Sequence, residues 1–191
     1  MYDYLTNISS ALSHGVNVSD FADSLSHTQY TSKKWLVDVL SQQDYTSNPA
    51  ILILGGWYGS YLVPMLNKAL NPSKIYFNDI NTDCLEVAKR LHRGSNIEFH
   101  HFDATHESFN RYVDIIINTS CEHMHSYEHM LQRDSSCLFV LQTCDNINDP
   151  GHINTSASTN DFLDKLQLRK VNYVGRRSLG HKNRFMVIGR N

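Results

Sequence analysis

From residue 50 onward the chain alternates short runs of consecutive apolar residues with segments of helical periodicity, a rhythm that few architectures satisfy. The apolar runs are 50–54, 75–78, 97–102, 113–118 and 138–142, with helical patterns near 60–70, 82–92, 126–133 and 159–166. Strands that are apolar on consecutive positions are covered on both faces, as the parallel strands of βαβ units are. Pro64 suits its helix only within the first turn. After the last helix the rhythm changes, because 170–175 and 184–189 are strand patterns joined by a polar turn with no room for a crossover helix. They must pair as an antiparallel hairpin. The expected fold is therefore α/β, a doubly wound and mostly parallel sheet closed by an antiparallel C-terminal hairpin. Upstream, Ser19-Asp20-Phe21 and Thr31-Ser32-Lys33 offer caps for two short helices, the second carrying Trp35, Leu36, Val39 and Leu40 at helical spacing.

A chain of 191 residues that is 41% hydrophobic can bury one sizeable core but hardly two. We therefore expect one domain, with residues 1–47 as a helical segment and 48–191 as the α/β core. No run approaches the roughly 18 to 20 apolar residues of a membrane span, and no basic segment followed by an apolar run opens the chain. A cytoplasmic protein without membrane contact is expected. Cys84, Cys121, Cys137 and Cys144 lack C-x-x-C spacing and read as free thiols. The net charge of −2 hides an asymmetry: residues 165–191 hold eight Lys/Arg and no acid, whereas the rest holds nine against nineteen Asp/Glu. Such a basic block steers polyanions or phosphorylated metabolites, or is simply a solvated surface. The sequence leaves the oligomeric state open.

The segment Ile51-Leu52-Ile53-Leu54-Gly55-Gly56-Trp57-Tyr58-Gly59-Ser60 joins the first strand to a helix. Glycines there let a ligand approach the backbone and turn the chain into a helix with a polar, positive amino terminus. About twenty residues on, Asp79 ends the second strand, where a carboxylate accepts hydrogen bonds from a ribose diol; otherwise it caps the next helix. The third strand runs into Asp103-Ala104, where an acid can meet an adenine amino group or close a turn.

On these residues the chain resembles the class I S-adenosylmethionine-dependent methyltransferases, a Rossmann-like family, over about residues 48 to 191. The resemblance implies that Gly55, Gly56, Trp57, Tyr58 and Gly59 face the amino acid part of S-adenosylmethionine. It also implies ribose on Asp79, adenine beside Ile80, and Asp103 with Ala104 flanking the adenine. Two positions depart from the family pattern: Ile53 replaces the usual acid, and Trp57 holds the middle glycine position. The methionine end then needs another contact, for which the Tyr30 to Lys33 segment is the candidate. An NAD-binding oxidoreductase is the lesser alternative, because a complete G-x-G-x-x-G would need glycine at Leu54.

The fourth strand runs into Asn118-Thr119-Ser120-Cys121-Glu122-His123-Met124, at the strand edge where open α/β sheets bind substrates. Its place matches the Asn/Asp-Pro-Pro-aromatic segment of base amino methyltransferases, with Asn118 first, and loosely the Pro-Cys of cytosine C5 enzymes, with Cys121 as nucleophile. Both prolines and the aromatic residue are absent. We read Asn118 as orienting the acceptor and contacting the cofactor, and Glu122 or His123 as taking its proton, unless both merely begin the next helix. His123, His125 and His129 with Glu122 and Glu128 make no complete ligand set, so no metal requirement is expected. The acceptor is unspecified: nucleic acid is slightly favoured, and a small molecule or a protein remains open. The rival reading is a non-catalytic domain that binds cofactor or partner.

Overall fold

A computed structural model of the protein describes residues 2–12, 16–93, 96–132, 136–180 and 182–191, with the side chains of 2–5 left aside. Its sheet has seven strands: β1 (Ala50–Leu54), β2 (Lys74–Asn78), β3 (Ile97–His100), β4 (Ile115–Asn118), β5 (Leu138–Cys144), β6 (Lys170–Leu179) and β7 (Lys182–Arg190). Their spatial order is β3-β2-β1-β4-β5-β7-β6. Strands β1 to β5 pair in parallel, whereas β7 runs antiparallel to both β5 and β6. The sequence expectation of a doubly wound sheet closed by a hairpin is met, and the hairpin strands extend beyond the apolar runs that announced them.

The consecutive apolar positions have the cause expected of them. Ile51 and Ile53 of β1 face one core, formed with Trp35, Leu36 and Leu40 of α3 (His27–Leu40), Leu66 of α4 (Leu62–Leu70) and Leu85 of α5 (Thr82–Leu91). Leu52 and Leu54 face the other, with Phe139, Leu141, Phe162 and Leu166. The last two lie on α7 (Thr159–Leu166), which matches its sequence expectation and is capped by Ser158. Pro64 falls in the first turn of α4, as it must.

Three helical expectations need correction. A further helix, α1 (Tyr2–Leu12), precedes α2 (Val18–Ser24) and packs with α5. The α3 helix begins four residues before Thr31, because Ser26 caps it by accepting from the Gln29 N–H. Ser32 is instead inside that helix and buried, donating to Gln142 Oε1 of β5 at 3.0 Å. The helix expected near 126–133 is the single turn α6 (Glu128–Leu131); residue 133 lies outside the described residues.

One buried histidine ties the base of the glycine loop to α5. His92 Nε2 donates to the Tyr58 carbonyl at 2.9 Å, and burial pushes its pKa down from 6.5 to about 4. A depressed folded-state value means that the unfolded chain binds the proton more readily between these limits. The contribution of neutral His92 is complete above about pH 6.5 and is lost as pH falls toward 4, by roughly 3 kcal/mol for a shift of this size. Denaturant unfolding between pH 7 and 4 should show this loss, and a His92→Gln variant should show a flatter dependence.

Candidate functional site

The strand order reverses between β1 and β4, and a cleft of about 610 Å³ opens at their carboxyl ends. One wall is the loop from β1 to α4. Gly55, Trp57 and Gly59 all take positive φ, at 58°, 54° and 65°. Trp57 therefore holds a left-handed position that costs a non-glycine residue about 1 kcal/mol or more. Gly56 has no such angle but meets a neighbour: a Cβ there would lie 2.3 Å from the Phe77 ring of β2.

Asp79 organises this wall. Its Oδ2 accepts the Trp57 N–H at 2.7 Å and its Oδ1 accepts the Asn81 N–H at 2.9 Å, so one carboxylate joins the loop to the cap of α5. Burial raises its pKa against these donors, which favour the ionised form. Each oxygen keeps a lone pair for a further donor, and Asp79 and Ile80 both line the cleft.

Helices α2 and α3 cover the opening. Ser24 Oγ lies 2.8 Å from Ser60 Oγ, and the Tyr61 hydroxyl donates to the Leu25 carbonyl at 2.9 Å. This places Asp20, Asp23, Gln29 and Lys33 on the cleft. Lys33 Nζ donates to Thr119 Oγ1 at 3.0 Å, and burial, then Arg184, push its pKa down to about 7. Tyr30 does not line the cleft: its ring lies edge-on against Tyr61, with centroids 5.4 Å apart, and Lys33 from the same segment reaches it.

The far wall rests on a buried ion pair. Arg184 of β7 donates to Glu122 Oε1 and to the Thr119 carbonyl. Burial alone would raise the Glu122 carboxyl, but the guanidinium beside it holds it below the ordinary value. The Glu122 carbonyl accepts the Ile153 and Asn154 N–H groups, both at 2.9 Å. His123 Nδ1 lies 2.8 Å from the Gly151 carbonyl, and its ring faces the cleft beside His152. The 145–158 loop is thereby folded back onto the exit of β4.

Of the candidate residues, Gly55, Gly56, Trp57, Gly59, Asp79, Ile80, Glu122 and His123 line this cleft. Six do not: Tyr30, as described above, and five others, each for a physical reason. Tyr58 is buried against Phe21, with ring centroids 5.6 Å apart. Asp103 closes a turn by accepting the Thr105 N–H, and Ala104 packs beside Phe102 and Phe109. Asn118 points into the opposite face, where its amide donates to Met124 Sδ and its Oδ1 accepts the Ser120 N–H. Cys121 is fully buried, and burial pushes its thiol well up, surroundings that disfavour the thiolate a nucleophile needs. Lys33, Thr119 and Ser120 line the cleft from within segments that the sequence named without assigning them individual roles, and Asp149, His152, Lys182 and Arg184 line it without having been singled out. All four cysteines are free and buried.

Against known proteins, no family model and no curated sequence matches the chain. Solved structures do. The N-methyltransferase NodS from Bradyrhizobium japonicum WM9, in complex with S-adenosyl-l-homocysteine, is similar over 99% of this chain and 98% of its own. It has a TM-score of 0.70 and 14% identity. The fold is that of the class I methyltransferases. Coclaurine N-methyltransferase bound to N-methylheliamine and SAH is similar over 78% of this chain, with a TM-score of 0.59 and 16% identity. The chain spans half the length of that protein. MtNAS in complex with MTA and tNA is similar over 100% of this chain and 71% of its own, with a TM-score of 0.65 and 11% identity.

The Glu122–Arg184 pair gives the site a stability test. Removing one partner of a buried pair leaves an uncompensated charge and costs about 3 to 5 kcal/mol, whereas replacing both with apolar residues costs far less. Arg184→Leu should lower the free energy of unfolding, measured by denaturant titration, by that amount, and Glu122→Leu/Arg184→Leu should recover part of it. Equal losses in the single and double variants would mean that the pair is not the source.

Proposed function

We propose that this protein is an S-adenosylmethionine-dependent methyltransferase (EC 2.1.1 class). The observation that carries the reading is Asp79, fixed by two backbone donors beneath the glycine loop with lone pairs left toward the cleft. In the proposed complex Asp79 accepts the ribose hydroxyls, Ile80 lies against the adenine, and Gly55 and Gly56 allow close approach of the backbone. The Lys33 ammonium pairs with the cofactor carboxylate, replacing the contacts that Ile53 and Trp57 do not offer. When bound, the cofactor supplies an electrophilic methyl group. His123 takes the acceptor's proton, while Thr119 and Ser120 position the acceptor in the place first assigned to Asn118.

The basic block supports a small anionic acceptor rather than a nucleic acid track. Only Lys182 and Arg184 of the block reach the cleft, while Arg177 lies over the Trp35 ring and Arg190 donates to the Ser136 and Asp44 carbonyls. RNA should accordingly show no salt-sensitive binding at physiological ionic strength in an anisotropy titration; micromolar binding that falls steeply with salt would reverse the choice.

Calorimetry with S-adenosylmethionine and S-adenosylhomocysteine tests the cofactor directly. Wild type should bind both and Asp79→Ala should lose at least tenfold; failure of wild type to bind either one overturns the reading. A non-catalytic binder, which the structural commitments of Asn118 and Cys121 favour, would bind both yet show no transfer to any acceptor.

A pH dependence follows from Lys33, which faces Arg184, Lys182, Glu122 and Asp23. Only the protonated amine pairs with a carboxylate, so affinity should be greatest below pH 7 and fall as pH rises through that value, up to tenfold per unit. Lys33→Arg should remove the fall, and Lys33→Met should weaken binding at every pH.

A further inference from the structure

Beside the ion pair lies a cluster that the methyltransferase reading does not use. One ligand atom each from Glu122, Cys144 and His152 lies within 4.8 Å of the others. Cys144 ends β5, and β7 pairs it directly with Arg184, so strand register brings it to Glu122. His152 arrives from the loop that is hung on the Glu122 carbonyl and returns to Cys144 through the Ser156 N–H. Carboxylate, thiol and imidazole are the three donor types that zinc takes in proteins.

Three further observations point to an ion. First, Arg184 engages only Oε1 of Glu122, and Oε2, in a side chain 3% exposed, has no hydrogen-bond partner among the described residues. Second, Cys144 Sγ and His152 Nδ1 are 3.5 Å apart, the separation of about 3.5 Å that two ligands at Zn–S and Zn–N bond lengths show in a tetrahedron. Third, the other ring nitrogen, His152 Nε2, faces Asp149 Oδ2 at 3.7 Å, the outer carboxylate that orients metal-bound histidines.

We propose that Glu122, Cys144 and His152 form a binding site for a zinc-class divalent cation on the wall of the cleft. Without the ion, His152 Nδ1 carries its proton and donates to the Asn146 carbonyl at 2.6 Å. On binding, the Cys144 thiol proton is released to solvent and the imidazole stays neutral: its one proton moves from Nδ1 to Nε2, toward Asp149, and Nδ1 exchanges the Asn146 carbonyl for the metal. The charges balance locally: Glu122, thiolate and Asp149 offset Arg184 and the two charges of the ion. Lys33 and Lys182 line the same cleft and favour an anionic fourth ligand. Glu122 and His152 both line the cleft, so a fourth position open to it suits water or a soft donor such as a thiol. This site does not rest on the cofactor assignment, and its test reads metal rather than methyl transfer.

The experiment is titration of the chelator-treated 191-residue chain with Zn²⁺ by calorimetry and with Co²⁺ by absorption. Expected are one equivalent of Zn²⁺ bound with a micromolar or tighter Kd and a Co²⁺ complex with a thiolate charge-transfer band and tetrahedral d–d bands. Cys144→Ser should lose the charge-transfer band and His152→Gln should weaken Zn²⁺ binding at least tenfold. Asp149→Asn, which removes no ligand, should weaken it by a smaller factor, and Cys84→Ala should leave it unchanged. Circular dichroism establishes that each variant is folded; should Cys144→Ser not fold, His152→Gln and Asp149→Asn decide. Absence of stoichiometric binding to wild type, or folded ligand variants that bind as wild type does, would overturn the proposal.

Discussion

The buried pairing of Glu122 with Arg184 holds together the parts of the cleft that lie far apart in sequence. Taking two charges out of water is costly, and Coulomb attraction repays it only where further hydrogen bonds complete the geometry. Arg184 therefore also donates to the Thr119 carbonyl, fixing the exit of β4 against β7. The backbone carbonyl of Glu122 does a second task, accepting two amides from the returning loop. One residue thus positions the hairpin strand through its side chain and the 145–158 loop through its main chain. Cys144, Thr119 and His152 occupy their places on this wall because those two attachments hold.

The opposite wall depends on backbone conformation. Three positive φ angles at alternate positions turn the chain from β1 into α4 while aiming the Trp57 N–H at Asp79. Trp57 bears the strain of a left-handed conformation, offset by that hydrogen bond and by stacking on Tyr58 at a 5.0 Å centroid distance. The close approach of Gly56 to Phe77 packs the loop onto β2, so Asp79 and the glycines are joined in one network of contacts. Such a network presents lone pairs to a ligand with little reorganisation.

This wall was legible in sequence because its logic is local: a strand, glycines, and an acid about twenty residues later. The far wall was not, for two reasons. At the end of β4, the direction of each side chain is a matter of strand parity, and Asn118, paired in register with Leu54, takes the parity of the opposite core. The most chemically suggestive residue in the segment therefore points toward Met124, whereas the plainer Thr119 and Ser120 line the cleft. The second reason is distance along the chain. Lys33, Glu122, Cys144, His152 and Arg184 converge only through strand pairing and loop return, and no spacing rule links them. The start of α3 was misjudged because Thr31-Ser32 and Ser26 are equally good caps locally; only the partner of Ser32 across the core, Gln142, separates them.

The antiparallel direction of β7 explains why basic charge reaches this edge at all. In a parallel sheet every strand presents its carboxyl end at the ligand edge, and its beginning lies at the opposite one. Reversing β7 brings the start of the strand to the ligand edge, so Lys182 and Arg184 stand at the cleft while the buried run Phe185–Ile188 fills the core below them. Of the other residues of the basic block, Lys165 lies on α7, Arg169 just after it, and Lys170 and Arg190 at the far end of the hairpin, whereas Arg176 and Arg177 stand level with Phe185 and Arg184 but one strand further out, on β6, where Arg177 lies over the Trp35 ring. Strand direction and strand order together therefore sort one basic segment into two cations that line the cleft and several that do not. The cleft is therefore lined by both signs of charge, with Asp20 and Asp23 beside Lys33 on the helical cover, Asp79 at the end of β2, and Lys182 and Arg184 at the start of β7. A ligand carrying both charges, with its anionic end toward Lys33, satisfies this polarity better than a uniformly charged polymer does.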